Sequence, residues 1–123
     1  MNIVHVIDGY VHAGRIGVLV ELSCESDYAT RTDEFKSLAR NIVMHIAASS
    51  PASVPSLLEQ SYVKDPAVTV DQLVASVSST LRERICIVRF VRWDTSGGQL
   101  VLPEPEPPSD QVIAARKQLR AKS

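Results

Sequence analysis

The residues best suited to chemistry lie in one short acidic stretch, CESDY at positions 24–28, which we call the elbow. It separates a stretch of alternating aliphatic residues from a stretch with helical spacing, and Asp33 adds a carboxylate just beyond it. A connection of this kind can project a carboxylate and an aromatic ring away from a core. The pattern therefore predicts a protein-binding knob with Asp27 and Tyr28 at its tip. The alternative is that Tyr28 folds back over the sheet edge and Asp27 merely ends the strand.

The remaining polar residues give little support to catalysis. An enzyme needs a nucleophile, a base and a group that orients them. His5, His12 and His45 fall on a strand pattern, a turn and a helical pattern, and their spacing matches no metal-protease motif. The chain also has no glycine-rich phosphate loop ending in Lys-Ser or Lys-Thr. We therefore expect no enzyme activity, no cofactor and no bound metal.

The elements before and after the elbow must hold it in place. Alternation predicts strands over residues 3–11 and 16–22, joined by a hairpin turn at residues 12–15, and a bulge or early turn at Asp8-Gly9. After the elbow, Thr30 and Asp33 match a capping box, and the apolar spacing predicts a helix to about Ala48. Pro51 ends it, since proline cannot continue the hydrogen-bond ladder.

The second half of the sequence predicts one more helix and one more strand. Residues 51–66 read as a loop with one helical turn, and a capping box of Thr69 and Gln72 starts a helix to about Arg84. Residues 85–93 alternate as a strand, which predicts Ile87 and Phe90 on opposite faces. The predicted fold class is α+β, a small antiparallel three-stranded sheet (β-β-α-α-β) packed on two main helices.

Size and composition indicate an ordinary single domain. The chain has 123 residues, of which 45% are hydrophobic and 22% charged, and its formal net charge is -1. That charge gives no bulk attraction to nucleic acid or anionic membranes. No apolar run is long enough to span a membrane, and the start of the chain has no basic region leading into an apolar block, so we expect a cytoplasmic protein. Cys24 and Cys86 are far apart and are expected to be reduced thiols.

The character of the chain changes after Asp94. We predict a core domain over residues 1–94, a proline-rich acidic linker over residues 95–109 and a basic helical tail over residues 110–123. The tail carries Arg116, Lys117 and Arg120, which suit contact with ribosomal RNA or an acidic partner. The alternative is a solvated terminal helix of marginal stability.

One long block of the sequence resembles elongation factor Ts, the guanine-nucleotide exchange factor for elongation factor Tu. Residues 10–28, YVHAGRIGVLVELSCESDY, carry the resemblance. It continues in order through RTDEF at 31–35, MHIAA at 44–48, YVKDP at 62–66, TV at 69–70 and VRFVR at 88–92, and covers about residues 7–93.

The resemblance implies both a site and an activity. In that family a Thr-Asp-Phe-Val element after the second strand wedges into the partner GTPase, disturbs its magnesium and phosphate-binding region and speeds nucleotide release. Its positions are occupied here by Ser26, Asp27, Tyr28 and Ala29. The resemblance extends the expected partner-binding surface to Arg31 and to the helix face with Asn41 and His45. The expected partner is an elongation factor Tu-like GTPase, and short-core members of the family pair two copies, which implies a homodimer.

Several positions depart from the family pattern. Strand residues begin almost at Met1, where the family has an amino-terminal helical domain, and the family's long helical insertion shrinks to residues 52–61. Asn41 replaces a frequent histidine, and the Tyr28 hydroxyl needs a hydrogen-bond partner when the ring is buried. Two hypotheses follow. The chain is either a minimal exchange factor, or a binding or structural module of the same fold that has lost exchange and holds a translation factor or a ribosomal component.

Overall fold

A computed structural model describes residues 3–97 of the chain. Its five strands and four helices are, in chain order, β1 Val4–His12, β2 Ile16–Cys24, α1 Asp27–Thr30, α2 Asp33–Ser49, α3 Val54–Glu59, β3 Ser61–Tyr62, β4 Asp65–Thr69, α4 Val70–Leu81 and β5 Cys86–Asp94. The main sheet is antiparallel with the strand order β1-β2-β5. The predicted α+β fold with a three-stranded sheet is therefore confirmed. Most of the predicted linker and all of the basic tail lie outside the described residues.

The hairpin between β1 and β2 has the predicted turn. Ala13 and Gly14 have φ angles of 52° and 67°, and the Arg15 amide donates to the His12 carbonyl at 2.9 Å. Positive φ at both central positions suits the twist of a two-residue hairpin loop. The bulge or turn predicted at Gly9 is absent, because β1 pairs with β2 without interruption from Val4 to His12. Gly9 instead leaves room for Leu19, whose Cδ2 would lie 2.8 Å from an added Cβ.

A β-bulge in β5 changes which residues face the core. Arg89 pairs with Glu21 and Ile87 pairs with Leu22, so that Val88 is an extra residue between two paired positions. The bulge reverses the alternation, and Ile87 and Phe90 are consequently both buried. The prediction that these two side chains face opposite sides was wrong for this reason.

The helix starts follow from short-range hydrogen bonds. Thr32, and not the predicted Thr30, caps α2 by accepting from the Phe35 amide at 3.2 Å. Thr30 already belongs to α1, where its hydroxyl donates to the Asp27 carbonyl at 2.6 Å. The predicted capping box of α4 is confirmed in both directions, between the Thr69 hydroxyl and the Gln72 amide and between the Gln72 side chain and the Thr69 amide.

The connection between α2 and α4 contains more structure than the sequence predicted. The predicted helical turn is α3, capped by Ser53, and the two-stranded ribbon of β3 and β4 follows it. Helix α4 begins at the end of this ribbon and ends at Leu81, where Arg82 adopts a left-handed conformation with φ 55°. The predicted end near Arg84 was therefore three residues too late.

The core lies between one face of the sheet and the helices. Alternate residues of β2 pack against the apolar face of α2, and α3, α4 and β5 complete the core; its fully buried side chains include Val20, Leu22, Phe35, Leu38, Ile42, Val43, Ile46, Leu57 and Val70. The opposite face of the sheet is exposed and carries several apolar side chains, Ile7, Val11, Leu19 and Trp93. In the described part of the chain, no helix is long and apolar enough to cross a membrane.

Candidate partner-binding site

The elbow begins where β2 ends inside the core. Cys24 is the last residue of β2 and is buried, and its thiol donates to the Ser26 carbonyl at 3.3 Å. Burial raises the pKa of the Cys24 thiol, which keeps it protonated and unreactive. The chain then turns at Glu25 and enters α1 at once, so that the elbow is a short, capped helical turn rather than an open loop.

Two of the four residues implied by the family resemblance face inward. Ser26 caps α1 by accepting from the Ala29 amide at 3.2 Å, and Ala29 is only 1% exposed. Ala29 packs in the same cluster of buried side chains as the residues of β2 and α2. In the free domain the atoms of Ser26 and Ala29 hold the elbow to the core, and their contact with a partner stays a prediction.

Glu83 holds the elbow from the other side. One of its carboxylate oxygens accepts from the Glu25 amide at 3.0 Å and from the Ser26 amide at 2.9 Å, and the other accepts from the Ser26 hydroxyl. Charge-assisted hydrogen bonds of this kind are roughly twice as strong as neutral ones. Glu83 thus fixes both the position and the direction of the start of α1.

Glu83 is itself held by the end of α4. Its amide donates to the Ser78 carbonyl at 3.1 Å, and its carbonyl accepts from the Ser78 hydroxyl. The same hydroxyl accepts from the Ile85 amide at 3.1 Å. Sequence reasoning missed Glu83, because it lies 57 positions from Ser26 and belongs to no motif. The one signal available was the antiparallel pairing of β2 with β5, which brings the residues before β5 to the end of β2.

The other two residues of the elbow point into solvent. Tyr28 is 77% exposed, and the Asp27 side chain is 63% exposed. Asp27 forms an ion pair with Arg31, one helical turn further on, at 2.5 Å. The expectation that Asp27 and Tyr28 point away from the core is confirmed. Their contact with a partner, and that of Arg31, stays a prediction.

His45 lies on α2 as predicted, and its side chain is buried. The ring is 1% exposed; one nitrogen is bonded to the Gln60 side chain at 2.9 Å, and the other accepts from the Val63 amide at 3.2 Å. Both ring nitrogens are therefore used within the domain, where they tie α2 to Gln60 before β3 and to Val63 in the β3–β4 turn. His45 therefore has a structural role in the domain, and its contact with a partner stays a prediction.

Asn41 is half-buried and remains beside an open groove. Its side-chain oxygen accepts from the Lys64 ammonium at 3.0 Å. A groove of about 330 Å³ runs between α2 and α4 and is lined by Asp33, Glu34, Ser37, Leu38, Asn41, Leu73 and Val77. The groove includes Asp33 and Glu34 of the first turn of α2, so carboxylates and apolar side chains both line it. Within residues 3–97, no group of three or more histidine, cysteine and acidic side chains is placed to hold a metal ion.

Comparison with known protein sequences points to one family. The family model described as elongation factor TS matches residues 2–56. Elongation factor Ts of Carboxydothermus hydrogenoformans is 33% identical over 158 aligned positions, which cover 91% of this chain and 72% of the relative. Elongation factor Ts of Desulfitobacterium hafniense is 32% identical over 76% of this chain and 64% of its own length. The same factor from a Nostoc species is 36% identical over 71% of this chain but only 28% of its own length.

The similarity to these relatives covers most of the chain. The residues matched by the family model, 2–56, include β1, β2 and the elbow. The chain belongs to the elongation factor Ts family. The alignment with the Carboxydothermus hydrogenoformans factor has more positions than this chain has residues. This relative therefore contains segments that have no counterpart here.

Proposed function

We propose that the chain is a guanine-nucleotide exchange factor that binds an elongation factor Tu-like GTPase and accelerates the release of GDP. The observation that carries the proposal is the exposed pair Asp27 and Tyr28, presented on a helical turn that Glu83 holds rigidly. Family membership supplies the class of partner. A cytoplasmic location follows from a role in protein synthesis.

The proposed mechanism requires no covalent step. If the elbow binds the nucleotide-free GTPase more tightly than the nucleotide-bound form, linkage lowers nucleotide affinity by the same factor. Such coupling is typically about 1–3 kcal/mol, or about 5–150-fold in affinity. A rigid elbow favours the mechanism, because little conformational entropy is then lost on binding.

The chemistry of the two exposed groups suits a site beside phosphates and a metal ion. The Tyr28 ring supplies apolar area, and its hydroxyl needs a partner group in the GTPase, since an unsatisfied buried hydroxyl costs about 1–3 kcal/mol. The Asp27 carboxylate would repel phosphate oxygens and compete with them for a cation. Glu25, Asp33 and Glu34 add negative charge nearby, so the GTPase surface in contact is expected to be basic.

A second copy of the chain is the partner that we propose for the outer face of the sheet. Ile7, Val11, Leu19 and Trp93 lie on that face, and Trp93 is 57% exposed. Exposed apolar patches of this kind mark interaction sites. Light scattering of the purified chain tests the pairing. We expect a dimer that Trp93→Glu converts to monomer, whereas Lys36→Glu, which places an acidic side chain on the exposed surface of α2 and not on this face, leaves it intact. The proposed ribosomal contact of the basic tail involves residues outside those the structure describes.

The release of fluorescent GDP from elongation factor Tu tests the exchange function. We expect the chain to accelerate release, and Tyr28→Ala to abolish most of the acceleration. Val63→Ala, which shortens an exposed apolar side chain of the β3–β4 turn, is the matched control and should retain it. If release stays at its spontaneous rate although the chain binds the GTPase, exchange is refuted and the chain is a binding module of the same fold.

A further inference from the structure

A cleft with a positively charged lining lies at the hairpin end of the domain. It has a volume of about 450 Å³ and lies between the end of the β1–β2 hairpin, the second half of α2 and the β3–β4 turn. We call it the cationic cleft; the residues that matter most are Tyr10, Ile16, Met44, Val63, Lys64 and Arg92. A cleft of this size is in the range of about 300–1,000 Å³ that is usual for ligand sites.

Arg92 places an incompletely compensated charge at this cleft. The residue is only 6% exposed, which is rare for a guanidinium. Its Nη2 donates to the Ala47 carbonyl at 3.0 Å, and its Nη1 lies 3.6 Å from a carboxylate oxygen of Asp94. Its Nε has no hydrogen-bond partner. A buried charge of this kind is costly unless it is well paired.

Asp94 compensates Arg92 only in part. Its other carboxylate oxygen accepts from the Ser96 amide at 2.9 Å and from the Ser96 hydroxyl at 2.5 Å. These hydrogen bonds from Ser96, more than the charge of Arg92, lower the pKa of Asp94. The 3.6 Å separation from Arg92 is longer than a hydrogen bond. Arg92 is therefore paired with Asp94 by charge without a normal hydrogen bond, its Nε is an unused donor, and the unpaired positive charge at the cleft is that of Lys64.

The rim of the cleft adds further donors and further positive charge. The exposed Lys64 ammonium is bonded to the uncharged Asn41 oxygen. On the opposite wall the Tyr10 hydroxyl is hydrogen-bonded to His12 at 2.8 Å, and the Arg40 guanidinium lies 5.2 Å from the centre of the Tyr10 ring. Charges of one sign that line a cleft focus the field within it. The field therefore favours an anionic ligand.

The remaining lining is apolar, which limits the kind of anion. Met44, Ile16 and Val63 leave space for a hydrocarbon side chain next to the cations. We propose that the cationic cleft binds a short acidic peptide segment of a partner protein, with a carboxylate at Lys64 in the field of Arg92 and a neighbouring apolar side chain against Met44. Lys64 supplies the accessible donor, and Arg92 supplies the charge behind it.

This site is separate from the elbow and goes beyond the exchange function. The elbow follows Cys24 at one end of β2, whereas Ile16 at the cleft is the other end of the same strand. At about 3.3 Å per residue the two sites lie roughly 26 Å apart. Loss of peptide binding and loss of nucleotide exchange can consequently be measured independently.

Fluorescence anisotropy with the full chain and a labelled peptide tests the proposal. The probe is a fluorescein-labelled peptide of alternating leucine and glutamate, and its leucine–glutamine counterpart is the neutral control. We expect the acidic peptide to bind and the neutral one not to. Lys64→Glu should weaken binding about tenfold, because it replaces an attraction with a repulsion. Lys36→Glu makes the same charge change on an exposed lysine of α2 outside the cleft and should leave binding unchanged.

Each other result overturns the proposal. Equal binding of both peptides would show that charge is not recognised, and equal weakening by Lys64→Glu and Lys36→Glu would show attraction by net charge alone. If Glu104→Gln with Glu106→Gln tightens binding markedly, the chain's own acidic segment competes for the cleft, and a separate partner is not its occupant. Amide chemical shifts localise the contact, and we expect the largest changes at Met44, Val63 and Lys64.

Discussion

Removal of the Glu83 carboxylate is the most informative perturbation of the elbow. Glu83→Ala deletes the acceptor of three hydrogen bonds, from the Glu25 amide, the Ser26 amide and the Ser26 hydroxyl. A hydrogen bond to a charged group contributes about 1.5–3 kcal/mol. Glu25 is exposed and Ser26 half-buried, so water recovers part of this loss. We expect a decrease of about 2 kcal/mol in the free energy of unfolding.

The same free energy sets the expected functional loss. If the whole of this free energy, about 2 kcal/mol, is lost from the ordering of the elbow, the fraction of molecules with an ordered elbow falls by up to about thirtyfold. The apparent affinity for the GTPase falls by the same factor. Thermal unfolding should show a decrease of roughly 10 °C in Tm for a domain of this size. GDP release is then measured well below that temperature, so that the domain is folded in every variant.

Glu59→Ala is the matched control, because it removes an exposed carboxylate from α3, away from the elbow. It should change neither Tm nor GDP release. Protection of the Ser26 and Ala29 amides from hydrogen exchange should fall in Glu83→Ala alone. A variant that loses Tm but exchanges GDP at the full rate would refute the argument that Glu83 positions the elbow. An unchanged Tm would show that the three hydrogen bonds of Glu83 do not stabilise the domain.

Three further outcomes are expected. Tyr28→Ala should shift Tm by no more than about 2 °C, since surface substitutions stay within about 0.5 kcal/mol. Val20→Asp, by contrast, should unfold the domain because it buries a charge. Equal losses of Tm in the two variants would place Tyr28 in the core. Thr69→Ala removes one half of the α4 capping box and should cost about 1 kcal/mol in chemical denaturation, while a cost near zero would show that the cap contributes nothing. Burial acts to raise the pKa of Glu21, but hydrogen bonds from Arg89 and His5 outweigh it and the pKa is lowered. The contribution of Glu21 to stability is therefore complete above the pKa of the unfolded state, 4.5, and is lost as the pH falls through the lower pKa of the folded state. Glu21→Gln should consequently flatten the acid side of the plot of Tm against pH. Parallel plots for the variant and the unchanged chain would contradict this.

Local patterns in the sequence predicted the elements that local forces determine. Apolar periodicity located the strands and the two long helices, since each buries one face. The hairpin turn and the Thr69 cap were predictable because both depend on residues within three positions of each other. The strand-to-helix connection left two positions open for Tyr28, outward or folded over the sheet edge, and the structure has it outward.

The remaining features depend on contacts between distant residues. No local signal distinguishes Thr32 from Thr30 as the cap of α2, because α1 uses Thr30 first. The bulge at Val88 exists only relative to the partner strand. His45 has helical spacing that fits an exposed or a buried face equally, and only its contacts with Gln60 and Val63 decide the question.

Because the chain is synthesised from its amino terminus, the hydrogen bonds of Glu83 to the elbow can form only late in synthesis. The residues of the elbow are synthesised early, but the carboxylate that fixes them comes 57 positions after Ser26. A nascent chain that stops before Glu83 contains the whole region matched by the family model, residues 2–56, and yet lacks the acceptor that orders its binding turn. Translation products that end before Glu83 should therefore lack an ordered elbow and bind the GTPase more weakly than a chain that contains Glu83.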